Sequence, residues 1–278
     1  MKNNIEKRIP LVCVGMPVYN GAIYIREALD SLLSQTLIDF ELIISDNAST
    51  DDTSKICKEY ENKDDRIKYV QHLVNMGSLK NFNYVLNESK SKYFTWLACD
   101  DKLLPDFLEK TTYYLEQFED VVACSCDFKV IDHKNELIRN ENLTQIYHSK
   151  DWQKTKKCFF ENPISNVYLV IYGVFRSLEL KKSGIQVTTS WLGLNTATEI
   201  PFLSRVASLG KIVSLPQILR LYRIHEDSVY NIERKNKKLR YLNFIHLKLI
   251  RFEQIFTLFR SNFKFLDKLN ILMNRNEN

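Results

Sequence analysis

An uncharged run, Tyr93-Phe94-Thr95-Trp96-Leu97-Ala98-Cys99, closes on two adjacent carboxylates, Asp100 and Asp101. A buried strand ending in paired acids delivers hard oxygen ligands to the carboxyl edge of a sheet. There a divalent cation can bridge them to a phosphorylated ligand. A second strand-like run, Phe40-Glu41-Leu42-Ile43-Ile44-Ser45-Asp46, ends the same way and continues as Asn47-Ala48-Ser49-Thr50-Asp51-Asp52-Thr53. Taken singly, either acidic step also fits a solvated turn or a helix cap. Two strands that bring Asp to the same sheet edge point to one site.

The elements that would position these acids alternate along the first half of the chain. Strand patterns cover 11–15, 40–45, 67–71, 93–100 and 121–128, and helical spacing covers 22–34, 51–60, 78–88 and 106–118, with Pro105 at the first helical position. The 51–60 helix is expected to carry an acidic first turn, which the helix dipole favours. Such alternation predicts right-handed crossovers, a parallel sheet with helices on both faces, and a ligand beyond the carboxyl ends of the strands. Farther on, 152–160 and 199–209 read as helices, the latter with Gly210 as its C-cap, and 167–175, 211–215 and 218–224 read as strands.

Composition narrows the function classes. At 278 residues, with 45% hydrophobic and 26% charged residues, the chain is globular. Six cysteines without a CxxC pair read first as buried thiols of a reducing compartment and second as a zinc site or disulfides; Cys124 and Cys126 share a strand face. The charged N-terminus leads into a first strand, not a signal peptide. No apolar stretch approaches the roughly 20 residues of a spanning helix. A cytoplasmic protein, soluble or peripheral on a membrane, is expected. Neither a GxGxxG loop nor a Walker A loop occurs, and there are only seven glycines. A nucleoside diphosphate would therefore be held by metal and cationic side chains instead of a glycine cradle.

Four segments in order, Gly15-Met16-Pro17-Val18-Tyr19-Asn20, the Ser45 to Thr53 run, Asn75-Met76-Gly77-Ser78 and the Asp100-Asp101 step, resemble glycosyltransferase family 2. The resemblance is dense over about residues 10–110, looser over 165–228 and absent from the tail. It implies a GT-A fold, mostly parallel and Rossmann-like, over residues 1–230. The donor half would lie at about 10–110 and the acceptor half at about 111–230. It also implies transfer, with inversion, of a sugar from a nucleotide diphosphate-sugar to an acceptor hydroxyl, with Mg²⁺ or Mn²⁺ as cofactor. The product class implied is a bacterial surface polysaccharide or a lipid-linked glycan.

By the same resemblance Pro17, Val18 and Tyr19 would wall the nucleobase and Asp46 would accept a hydrogen bond from it. Lys80 would reach toward the diphosphate. Asp100 and Asp101 would be metal ligands, His225 a further ligand or diphosphate contact, and Arg223 an offset to diphosphate charge. Glu199 would be the base that deprotonates the acceptor. Each has a plainer alternative: a helix cap for Asp46, a solvated helix lysine for Lys80, favourable placement in a helix dipole for Glu199. Two departures from the family pattern are Ala98, where an acid that contacts the ribose usually stands, and Thr198, where a Glu often precedes the base. They keep open a non-catalytic sugar-nucleotide or glycan-binding protein on the same fold. Trp152 and Trp191 suit either an acceptor sugar or core packing.

The formal charge of +5 is unevenly spread. Residues 231–278 carry eleven Lys/Arg against four Asp/Glu, which leaves the first 230 residues at −2. Leu242, Ile245, Leu249, Phe252, Phe256, Phe259, Phe263 and Leu266 form a helical stripe there. The stripe fits the catalytic domain, a second copy of the chain in a homo-oligomer, or an anionic membrane surface. Nothing resembles a module that reads nucleic acid.

Overall fold

The computed structural model describes residues 8–143, 167–183 and 199–226. In chain order the strands are β1 (Val12–Val18), β2 (Phe40–Asp46), β3 (Ile67–Gln71), β4 (Tyr93–Trp96), β5 (Lys102–Leu103), β6 (Val121–Ile131), β7 (Leu137–Glu141), β8 (Val174–Arg176) and β9 (Lys211–Arg223). The helices are α1 (Ile25–Leu33), α2 (Thr53–Glu61), α3 (Ser78–Glu88), α4 (Phe107–Gln117), α5 (Ser177–Ser183) and α6 (Glu199–Leu209). One sheet runs β3-β2-β1-β4-β8-β6-β9-β5, with β7 paired to β6.

The β3-β2-β1-β4 half is wholly parallel, as the alternation predicts. β1 lies in its middle and is buried at all seven residues, which is why it reads as an unbroken apolar run. Pro17 sits inside this strand without breaking it. The β1–β4 ladder stops at Gly15–Trp96, and Pro17 has the same parity as Gly15, whose carbonyl faces β4. Its missing N–H therefore falls where no strand is waiting. α1 turns Ile25, Ala28, Leu29 and Leu32 into the core at helical spacing. α3 crosses β1 so closely that a Cβ on Gly15 would stand 2.6 Å from Val85 Cγ2 and 2.7 Å from Phe94 Cζ. Only glycine fits there.

The second half departs from a simple alternation. β8 runs antiparallel to both β4 and β6, and β5 and β7 are also antiparallel to their partners. The expected strand at 167–175 is a 3-10 helix, Val167–Tyr172, followed by the short β8. A short buried apolar run carries no period that separates strand from helix. Here the Gly173 N–H turns back to the Val170 carbonyl and closes the helix. The two strands expected at 211–215 and 218–224 are one, β9, with a register shift opposite Cys126 and Asp127 that places Pro216 in a bulge. Pro105 precedes the Asp106 cap of α4 instead of opening the helix. α2 begins at Thr53, so Asp51 and Asp52 lie ahead of its first turn. The expected 152–160 helix, Trp152, Trp191, Thr198, Cys158 and the tail lie outside the described residues.

Trp96, fully buried, joins the halves. Its ring meets Phe94 at 4.7 Å and both Phe175 of β8 and Phe202 of α6 at 6.1 Å, mostly edge-on. Each such aromatic pair adds about 0.5–1.5 kcal/mol beyond area burial. α6 is thereby fastened beside the strand that leads into Asp100. Cys13, Cys57, Cys124 and Cys126 are buried free thiols and Cys99 is half-buried.

Candidate active site

β1, β2, β3, β4, β6 and β9 point the same way, so their carboxyl ends share one edge. On its donor half the loops after β1 and β2 are stitched together. Asn20 N–H donates to Ser49 Oγ (2.9 Å), Thr50 N–H to Asn20 Oδ1 (2.8 Å), Gly21 N–H to Thr53 Oγ1 (2.9 Å) and Ala22 N–H to Asp51 Oδ2 (3.0 Å). Asn20 and Ala48 adopt left-handed backbone, with φ of 51° and 63°. Asn tolerates that region well; at Ala48 it is a local strain held by the surrounding bonds.

Asp46 is fully buried at the end of β2. Its Oδ1 accepts the Ser49 N–H (2.8 Å) and its Oδ2 the Tyr69 hydroxyl (2.7 Å). Burial first, then this carboxylate, push the Tyr69 hydroxyl pKa upward. Asp46 therefore shapes its own loop and does not cap α2. The residue bound to the start of α2 is Asp51, whose Oδ1 accepts both the Thr53 N–H (3.0 Å) and the Thr53 hydroxyl (2.5 Å). Pro17 and Val18 are buried, Tyr19 is half-exposed, and Lys80 stands exposed on the first turn of α3.

Behind Asp46 lies a polar knot absent from the sequence reading. Ser45 Oγ donates to Asn81 Oδ1 (2.5 Å) and lies 2.7 Å from His72 Nε2, while Asn81 Nδ2 donates to the Ser45 carbonyl (2.8 Å). Asn47 Nδ2 donates to Asn75 Oδ1 (2.8 Å), and Asn47 Oδ1 accepts the Met76 N–H (2.8 Å). Asparagines in otherwise apolar or turn segments were the available signal, but their partners are 27–36 residues away in the chain.

On the other half, the Asp100-Asp101 step divides. Asp100 Oδ2 meets His225 Nε2 at 3.1 Å, with both side chains partly exposed. Asp101, expected as a second metal ligand, instead faces inward. It is 1% exposed, its Oδ1 accepts the Arg223 N–H (2.9 Å), and its Oδ2 lies 3.9 Å from Arg220 Nη2. Burial, then the neighbouring Asp100 charge, push the Asp101 carboxyl up to about 8, against the pull of Arg220. Arg220 is itself fully buried and donates to the Trp96 (3.1 Å) and Tyr172 carbonyls.

Arg223, expected from the resemblance to face a diphosphate, is instead built into the wall. Its side chain is fully buried over the Tyr24 ring. Nε donates to the Asp100 carbonyl (2.8 Å) and Nη1 to the Asp132 carbonyl (3.1 Å), while Nη2 donates to Glu27 Oε2 and Asn135 Oδ1 (both 3.0 Å). Lys102 Nζ donates to the same two acceptors, at 2.8 and 2.9 Å. Glu27 and Asn135 are thus site residues that no local pattern marked. The Lys102 hydrogen bond, more than Arg223, holds the Glu27 carboxyl below its usual range.

Glu199 is the first residue of α6. α6 passes through Gly210 directly into β9, so it runs back against the strands, and its N-terminus lies toward the carboxyl edge. That places Glu199 at the edge shared by Asp46, Asp100 and His225.

Residues 13–178, more than half of the chain, match Glycosyl transferase family 2. The chain belongs to that family. An uncharacterized glycosyltransferase of Haemophilus influenzae is 29% identical over 232 residues, 81% of this chain and 69% of its own length. A putative teichuronic acid biosynthesis glycosyltransferase of Bacillus subtilis, TuaG, is 38% identical over 119 residues, 43% of this chain and 45% of its own. The chain thus spans about two thirds of the first relative and less than half of the second. Among solved structures, Staphylococcus aureus TarS 1-349 in complex with UDP-GlcNAc has a TM-score of 0.69 at 18% identity, over 95% of this chain and 71% of that one. The mannosyltransferase PcManGT of Pyrobaculum calidifontis, in complex with GDP-Man and Mn²⁺, has a TM-score of 0.62 at 16% identity, over 96% and 69%. These likenesses establish the GT-A type of fold. No helix among the described residues is long and apolar enough to cross a membrane.

Proposed function

We propose that this family 2 chain is a metal-dependent, inverting glycosyltransferase that moves a sugar from a nucleoside diphosphate to an acceptor hydroxyl. The observation that carries the reading is the Asp100–His225 pair at the edge where a GT-A sheet meets its ligand. Asp100 Oδ2 and His225 Nε2 hydrogen-bond directly at 3.1 Å, and a carboxylate and an imidazole side by side are a donor set that would hold Mg²⁺ or Mn²⁺. Among the described residues no group of three His, Cys, Asp or Glu side chains could by itself hold a metal. Such an ion would need the diphosphate itself to complete its binding, the usual habit of Mg²⁺.

When bound, the cation supplies positive charge against the departing diphosphate. Asp100 and His225 would hold it. Asp101, facing Arg220, would fix the step between them and not ligate. Tyr19, with Pro17 and Val18, would border the nucleobase, Asp46 would accept from it, and Lys80 would approach the diphosphate. Glu199 would take the proton of the acceptor hydroxyl as it attacks the anomeric carbon. The names of TuaG and of the solved neighbours support a nucleotide-sugar donor and an acceptor in bacterial polysaccharide synthesis.

Incubation of the chain with UDP- and GDP-sugars tests the reading directly. Slow hydrolysis to the nucleoside diphosphate, abolished by EDTA and restored by Mn²⁺, is expected. Nucleotide-sugar binding without any turnover would identify a binding protein on the same fold. We place the protein on the cytoplasmic side, with the basic tail of 231–278 against an anionic leaflet, each lysine or arginine at the surface contributing about 1 kcal/mol. Flotation with anionic liposomes at low salt, lost at high salt, is expected; no flotation at low salt would remove the membrane from the account.

A further inference from the structure

The part of the site most tightly held is not the ligand pair but the cluster behind it. Lys102 and Arg223 share two acceptors, Glu27 Oε2 and Asn135 Oδ1, all four contacts lying between 2.8 and 3.0 Å. Only one of those acceptors is charged. A buried guanidinium and a largely covered ammonium are thus balanced by the Glu27 carboxylate, which reaches them from α1, 196 residues from Arg223. The guanidinium is fully buried while the Glu27 side chain is 40% exposed, so loss of that carboxylate leaves the Arg223 charge to be met by water or by another nearby acid.

The alternatives are the carboxylates of the residues Arg223 already touches through their backbone or its own. Asp132 is committed to the turn after β6, where its Oδ1 accepts the Lys134 and Glu136 N–H groups, both at 2.8 Å, and it offers Arg223 its carbonyl. Asp101 accepts the Arg223 N–H with one oxygen and faces Arg220 with the other. That leaves Asp100, whose carbonyl Arg223 Nε already grips and whose carboxylate otherwise meets His225. We infer that Glu27 is a positioning residue for metal binding: by balancing Arg223 and Lys102 it leaves the Asp100 carboxylate turned to His225 and available to a divalent cation. The inference rests on the reading that Asp100 and His225 hold that cation.

The same geometry supplies a rescue. Asn135 Oδ1 bonds the same two cations as Glu27, and Asn135 has φ of 68°, a left-handed conformation that Asp also tolerates. Glu27→Gln removes the charge and Asn135→Asp returns it from the opposite side.

Mn²⁺ binding to the full chain, read by the electron paramagnetic resonance signal of free Mn²⁺ with UDP or GDP present, tests this without turnover. Glu27→Gln is expected to weaken Mn²⁺ about 10–100-fold, the usual scale for residues that orient a metal ligand. The double variant Glu27→Gln/Asn135→Asp is expected to return affinity to within a few-fold of the wild type. A wild type that binds no Mn²⁺ with either nucleotide overturns the metal reading and the inference together. A wild type that binds, with Glu27→Gln binding equally well, overturns the inference alone. Weakening that the second substitution fails to relieve assigns Glu27 a role of shape, not charge, and also overturns it. Should Glu27→Gln fail to fold, the double variant still decides: wild-type affinity supports the charge assignment, and a loss beyond about tenfold overturns it.

Discussion

Glu199→Gln is expected to lower turnover by about 10²–10⁴-fold, the range that a positioned general base contributes, while the affinity for the donor stays nearly unchanged. Gln keeps the size of the side chain and an acceptor oxygen but cannot take a proton at neutral pH. The asymmetry between turnover and donor affinity is what separates a base from a helix-stabilising acid. Glu199 opens α6, and a negative charge in a first turn contributes only about 0.3–1 kcal/mol to the helix. A purely structural Glu199 would therefore yield a slightly less stable protein with ordinary turnover. Single-turnover assays with a saturating donor, beside a titration of donor binding, distinguish the outcomes; near wild-type transfer by Glu199→Gln would mean the base is another carboxylate.

Asp100→Ala is expected to abolish the tightening of nucleoside diphosphate binding by Mn²⁺ and to reduce transfer by at least about 10²-fold, the scale of losing one electrostatic contact to a developing negative charge. The fold should survive. Asp100 is partly exposed, and the contact Arg223 makes with it is to its carbonyl, which alanine retains. Asp101→Ala is not equivalent, because it strips Arg220 of its nearest carboxylate in the interior. Calorimetry of UDP and GDP binding with and without Mn²⁺ checks the expectation. Equal metal enhancement in the wild type and in Asp100→Ala would remove Asp100 from the site.

What could be read along the chain was whatever has a local period or a local terminus. The apolar run of β1, the i, i+3, i+4, i+7 face of α1 and the bounds of α3 and α6 follow from burial on one face, and burial leaves a pattern in neighbouring residues. The acid that ends β2 was legible for the same reason, but β4 stops at Trp96, so the expected strand to residue 100 is shorter and the Asp100-Asp101 step lies in the turn after it, still beyond the carboxyl end of a parallel strand. The second half was less legible because β8, β5 and β7 enter the sheet reversed. The apolar run there, with Leu169, Val170 and Ile171 all buried, carries no period.

Only the tertiary structure decided how the acids divide their work. Asp100 and Asp101 are adjacent and chemically alike, yet one meets His225 at the edge and the other is sealed against Arg220. The choice is made by β9, which brings Arg220, Arg223 and His225 to a step more than 110 residues earlier in the chain. It is made also by α1, which brings Glu27 from the opposite direction. A single sequence marks that a charge exists, but the partner of a buried charge is set by which distant elements are packed around it. In that arrangement Arg223 turned from an expected ligand contact into the wall, and Glu27, unremarkable on an amphipathic helix, became its counterion.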